Sequence, residues 1–199
     1  MKYIIEHFEE GLEEWCELEY SHMLSYVGEG NLILSNMHQS VLDNLPTKLE
    51  GVVVTGKSVL EIEGVTIDNC ILLDPAAKEP LSPSDAENCK FLLFGGILGD
   101  DPPRDRTKEL RVMGFKGRHL GPVQMTTDTA VMTSQHVLEK GIPLDELKFI
   151  DHPEIVLSKR ETVQMPFRYL LNSEGKMIMP PGFKKLLRKG NDIDITTML

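Results

Sequence analysis

The stretch Phe91-Leu92-Leu93-Phe94-Gly95-Gly96-Ile97-Leu98-Gly99 decides how the rest of the chain is read. A short apolar run of this kind suits a buried strand and is far too short to span a bilayer. It ends in three glycines within five residues. Open α/β sheets bind ligands beyond the carboxyl ends of their strands, and glycine lets the backbone approach a ligand closely or take positive φ. The spacing is G-G-x-x-G, with no G-K-[ST] after it, so neither a dinucleotide fingerprint nor a P-loop is present. On these glycines alone, a tight turn and a ligand loop are equally open.

Downstream lies Asp100-Asp101-Pro102-Pro103-Arg104-Asp105-Arg106-Thr107, acids and arginines stiffened by two prolines. A solvated turn leading to a helix capped at Asp105 is one reading. Two prolines remove flexibility and donors, which suits a preorganised wall better than a spacer. A second block is Leu120-Gly121-Pro122-Val123-Gln124-Met125-Thr126-Thr127-Asp128-Thr129-Ala130. Thr127 or Asp128 can cap the helix that follows, or the free amides of the helix start can hold an adenine edge or a carboxylate.

Working outward, residues 2–7, 31–36, 69–73, 91–94 and 118–120 read as strands, and residues 10–27 and 129–140 as amphipathic helices. Gly28 and Gly30 stop the first helix, and Asp74-Pro75 turns the chain after the third strand. Residues 51–62 read as helix end or strand, and residues 78–88 as a loop or a short capped helix. A polar helix starts near Thr107. Beyond Gly141 the order is less regular, with strands at 147–150, 155–157 and 168–171 and a short basic helix at 183–188. Buried parallel strands linked by helices explain the alternation, giving an α/β fold with a mostly parallel sheet flanked by helices. No linker marks a domain boundary.

The 199 residues fit one domain with its own core, without disulfide or metal staples. Acidic residues outnumber basic ones 31 to 21, for a net charge of -10. This balance is opposite to that of a phosphate-backbone binder and leans towards a cationic partner. Three cysteines, Cys16, Cys70 and Cys89, form no C-x-x-C and fit a reducing, cytoplasmic setting. The first residues lack a signal-peptide pattern, so a soluble protein without membrane attachment is expected. The histidines form no H-E-x-x-H, no metal site is expected, and no G-x-S-x-G elbow is present. In Pro166-Phe167-Arg168-Tyr169 the arginine is either near a site or paired within an interior strand.

Together these blocks resemble the SPOUT superfamily of knotted methyltransferases. Within it they resemble the branch that includes fungal protein-arginine methyltransferases and archaeal relatives regarded as RNA methyltransferases. The strings that carry the resemblance are Met1-Lys2-Tyr3-Ile4-Ile5-Glu6-His7 with Glu9-Glu10-Gly11, Phe94 to Asp100 with Pro102 to Leu110, Gln124 to Ala130, and Met165-Pro166-Phe167-Arg168-Tyr169. The resemblance implies a deep carboxyl-terminal trefoil knot, against the general rule on threading. It implies a single domain over 1–199, a knotted site in about 70–171 and a short extension from about 180. It also implies S-adenosyl-L-methionine as cofactor and S-adenosyl-L-homocysteine as product. The matching cofactor positions are Phe94, Gly95, Gly96, Ile97, Leu98, Gly99, His119, Leu120, Gly121, Gln124, Met125, Thr126 and Ala130, with Leu73 and Asp74 matching a loop of the same face less closely.

An arginine acceptor is charged at neutral pH and a poor nucleophile, so carboxylates must orient it and receive its proton. Asp100, Asp101 and Asp105 are the candidates, with Glu6 or Glu9 as contributors and Arg104 assigned to loop structure or to the cofactor carboxylate. The leading expectation is a protein-arginine N-methyltransferase acting on a basic segment of a small-subunit ribosomal protein, as a monomer in preference to a homodimer. The alternatives are an RNA methyltransferase, for which the basic patch is Lys184, Lys185, Arg188 and Lys189, and a module that holds the cofactor without turnover.

Overall fold

The computed structural model describes residues 1–96, 105 and 107–196, with side chains through Lys189. The elements run β1 (Lys2–Glu6), α1 (Glu14–Val27), β2 (Leu32–Ser35), α2 (Gln39–Asp43), β3 (Val53–Val54), β4 (Cys70–Leu73), β5 (Phe91–Gly95), α3 (Lys108–Arg111), β6 (Lys116–Arg118), α4 (Thr127–Leu138), β7 (Phe149–Asp151), β8 (Glu154–Ser158), β9 (Glu161–Gln164), β10 (Arg168–Leu170) and α5 (Phe183–Thr196). Six strands form one sheet in the order β3-β2-β1-β5-β4-β6, with every pair parallel.

Successive strand side chains point to opposite faces. Tyr3, Ile5, Leu34, Ile71, Leu92 and Phe94 join Tyr20 and Met23 of α1 and Val131 of α4 in one core. Ile4, Ile33, Leu72 and Leu93 turn the other way, towards Leu110 and Phe115. Both faces are covered, which is why these strands read as unbroken apolar runs without alternation. A third core joins Ile155, Leu157, Met165, Phe167, Tyr169 and Phe183 against Trp15 and Leu18 of α1. It is built from antiparallel pairs, β8 with β9 and β7 with β10.

Several boundaries differ from the sequence reading. Helix α1 starts at Glu14 because His7 Nε2 bonds the Gly11 carbonyl at 3.0 Å and holds the preceding segment in a turn. It ends where Gly28 takes φ +82° and donates its amide to the Leu24 carbonyl at 2.9 Å. Strand β6 ends at Arg118, short of residue 120, because its partner β4 stops at Leu73, before Pro75. Val53–Val54 form a short edge strand, followed by a 3-10 turn at Val59–Glu61. The proline-bearing stretch contains a 3-10 turn, Pro83–Glu87, started by a Ser82/Asp85 capping box. The strand expected at 147–150 lies at Phe149–Asp151, in antiparallel register with β10. Helix α5 continues beyond residue 188 to Thr196. The three cysteines are unpaired and buried, and burial pushes their thiols up to about 12 for Cys16 and Cys70 and about 11 for Cys89.

Candidate active site

The carboxyl ends of β4, β5 and β6 open onto a cavity of about 290 Å³, close to the lower end of the range for small-molecule sites. Leu73, Asp74 and Pro75 close it from β4, and Phe94 and Gly95 from β5. Arg118 and the loop from Leu120 to Met125 form another wall, and Thr127 and Ala130 of α4 complete it. Asp105 and Thr107 border it just ahead of α3. This edge lies next to the β1–β5 pairing, where the strand order reverses, as expected for ligand sites in open α/β sheets.

Two glycines are needed by the geometry. Gly96, at φ +30°, would place a Cβ 3.3 Å from the Phe8 ring and 3.4 Å from the Glu6 carbonyl. Gly121 takes φ +100°, and its amide donates to His119 Nδ1 at 3.0 Å. Inside the wall, Gln124 Nε2 is buried and has no hydrogen-bond partner among the described residues. An unpaired buried donor costs about 1–3 kcal/mol, so this amide is set up for an acceptor supplied by a ligand.

Asp74 is 3% exposed and takes a forked pair from Arg111, with Nη2 on Oδ1 at 2.7 Å and Nε on Oδ2. Thr107 Oγ1 adds a third donor at 2.9 Å. Arg111 also reaches both oxygens of Asp105, at 3.1 and 3.2 Å. The guanidinium holds both carboxyls below their ordinary range, and the two acids raise Arg111 in turn. At the opposite side of β6, Asp85 is opposed by burial, but donors from Arg118, Lys116 and the Ser82 amide outweigh it and bring its pKa to about 2.

The start of α4 is built differently. Glu19 of α1, 1% exposed, accepts from the Asp128 amide at 3.3 Å and from Trp15 Nε1 at 2.6 Å. Asp128 meets His22 Nδ1 at 2.7 Å. Burial, reinforced by Asp128, pushes the Glu19 carboxyl well above its usual range. The helix start is therefore not free: Glu19 takes the Asp128 amide and Asp128 Oδ1 the Thr129 amide at 2.8 Å, so of the two expected capping side chains Asp128 engages a first-turn amide while the Thr127 hydroxyl goes to Gly96.

The family model for SFM1-like protein arginine N-methyltransferases matches residues 2–193. Over 215 aligned positions the chain is 43% identical to "Protein arginine N-methyltransferase SFM1" of Saccharomyces cerevisiae, covering all of both proteins. The chain belongs to the SFM1-like protein arginine N-methyltransferase family. A yeast SFM1 structure complexed with SAH superposes with a TM-score of 0.87 at 45% identity, over 93% of each chain. One complexed with SAM gives 0.88 at 44% identity, over 95% of this chain and 90% of that one. A dual-specific Trm10 of Thermococcus kodakaraensis shares the fold, at TM-score 0.54 and 19% identity over 73% of this chain and 95% of that one.

In this SFM1-like chain, Leu73, Phe94, Gly95, Leu120, Gly121, Gln124, Met125 and Ala130 come together at the cavity. Gly96, His119 and Thr126 stand just behind it: Gly96 accepts from Thr127 Oγ1 at 3.2 Å, His119 holds the Gly121 amide, and Thr126 bonds Thr129. Ile97, Leu98, Gly99, Asp100, Asp101 and Arg104 lie outside the described residues. Asp105 does not cap α3, whose first flanking residue is Thr107; it lies on the cavity wall, tied to Arg111. Glu6 is buried and accepts from Ser35 Oγ, so it joins β1 to β2. Glu9 Oε2 lies 3.9 Å from where a Gly96 Cβ would stand. Arg168 satisfies both readings of its motif, since it is paired with Asp151 at 2.6 Å and its Nη1 stands 3.5 Å from a Cβ built on Gly121. The sequence reading missed Arg111 and Glu19, whose partners lie 37 and 109 residues away, so no local pattern marked them.

Proposed function

We propose that this chain binds S-adenosyl-L-methionine in the cavity at the ends of β4, β5 and β6 and methylates an arginine of a basic protein segment. The observation that carries the reading is the unpaired, buried Gln124 amide on the wall of a cavity of about 290 Å³, in a chain whose relatives are named for arginine methylation and complexed with SAM and SAH. Gln124, Leu120 and Ala130 would hold the bound group, which supplies an electrophilic methyl carbon.

The chain's own work is then to orient the acceptor and manage its charge. A guanidinium must lose a proton as its nitrogen gains the methyl group. Asp105 is a poor receiver, because Arg111 lowers its proton affinity. Asp100 and Asp101 take this role in the proposal, with Asp105 and Arg104 shaping the loop. Two of the four cations of the basic patch are already engaged, Lys189 with Glu14 at 2.8 Å and Arg188 with the Leu157 carbonyl. That, with the net charge of -10, favours a protein acceptor over RNA.

The finer parts of the proposal are a trefoil knot in about 70–171, a single domain with an extension from about 180, monomeric action in the cytoplasm and a small-subunit ribosomal protein as substrate. Among the described residues no helix is long and apolar enough to cross a membrane. The test is incubation with methyl-labelled cofactor and a crude ribosomal fraction. Label recovered as N-methylarginine in protein is expected. Label in RNA contradicts the choice of acceptor, and binding without label in either points to a holding module.

A further inference from the structure

The residue in the capping position of α4, Thr126, makes no capping bond with its side chain. Its hydroxyl goes to Thr129 Oγ1 at 2.8 Å, and Asp128 turns its Oδ1 to the Thr129 amide at 2.8 Å and its Oδ2 to His22. The first amides of a buried helix start must nevertheless be satisfied. Glu19 supplies a partner from a different helix, accepting from the Asp128 amide while Trp15 fixes its other oxygen. Thr127 is also a wall of the cavity, and its hydroxyl donates to the Gly96 carbonyl at 3.2 Å, at the mouth of the glycine loop.

We propose that Glu19 is a positioning residue for the cofactor cavity, acting through the amide of Asp128 on the start of α4, where the neighbouring Thr127 lines the cavity and donates to the carbonyl of Gly96. The proposal rests on the cavity being the cofactor site. Glu19 does not line the cavity, so its effect must travel through the α4 start. Both of its oxygens accept N–H bonds; glutamine keeps one acceptor and sets an NH₂ group against an N–H.

The experiment compares wild type with Glu19→Gln, titrating S-adenosylhomocysteine by calorimetry well below the unfolding temperature and following amide hydrogen exchange in the free protein. Expected are a Kd raised about tenfold, equal to about 1.4 kcal/mol, with full stoichiometry, and the Asp128 amide exchanging about tenfold faster or more. A merely structural role would lower stoichiometry and leave Kd alone. Unchanged Kd, or unchanged exchange at this amide, overturns the proposal. Should Glu19→Gln not fold, Trp15→Phe keeps the ring and removes only the indole donor; a Kd raised about threefold supports the proposal and an unchanged Kd overturns it. A wild type that does not bind overturns the cofactor reading first, whereas wild-type binding matched by the variant overturns this proposal alone.

Discussion

Two pairs of carboxylates are handled in opposite ways, one lining the cavity and one holding the start of a helix that lines it. Asp74 and Asp105 share the Arg111 guanidinium and are held below their ordinary proton affinity. Glu19 and Asp128 lie 1% exposed each between α1 and α4, with an imidazole and main-chain amides as partners, and Glu19 is pushed upward. Residue type therefore does not set the charge state of these carboxylates; the neighbouring donors and the loss of water do. The first pair fixes the approach to α3 by ion pairing, and the second fixes α4 by capping.

The sharpest way to break the contrast is Arg111→Met, which leaves Asp74 buried without its cation. Asp74 is buried while Arg111 is 37% exposed, so losing the cation costs about 2–3 kcal/mol, read as a lowered urea midpoint; a cost below about 1 kcal/mol means that the pair acts as a surface contact. The next effect is in pH. Asp74, Asp105 and Asp85 have lowered folded pKa values, so their stabilisation is present above the unfolded carboxylate range near 4 and is lost as pH falls, towards about 2 for Asp85. Glu19 has the reverse sign: its contribution is complete below its unfolded pKa and is lost as pH rises through its folded one. Asp85→Asn should thus remove about 2 kcal/mol at neutral pH and far less at pH near 2. Equal losses at both ends contradict the ion-pair account. The smallest effect sharpens the role of the unpaired donor. Gln124→Leu should leave the free protein as stable as before, or slightly more so, while weakening S-adenosylhomocysteine binding by about tenfold; a destabilised free protein means that the amide has a partner of its own.

Much of this was legible in the sequence because it is local. Apolar runs such as Tyr3-Ile4-Ile5 and Leu92-Leu93-Phe94 declare strands buried on both faces, and Gly96 and Gly121 mark where the backbone takes positive φ. Most described members of the expected cofactor set do reach the cavity. Register was less legible: β6 ends at Arg118 because β4 ends before Pro75, a constraint written 40-odd positions earlier. The antiparallel pairing of β7 with β10 likewise depends on a partner far along the chain. The charge network was hidden for the same reason. Arg111 lies within the expected polar helix and Glu19 within the first helix, and nothing near either in the sequence signals Asp74 or the start of α4 as its partner.

The central claim is that the cavity at the ends of β4, β5 and β6 is where the cofactor binds, and Ala130 offers direct access to it because its methyl group lines the wall. Calorimetric titration of S-adenosylhomocysteine into wild type and Ala130→Trp, each checked for a native circular dichroism spectrum, tests it. The account predicts one site per chain in the wild type and no measurable binding once the indole fills the cavity; a folded Ala130→Trp protein that binds with wild-type affinity contradicts it.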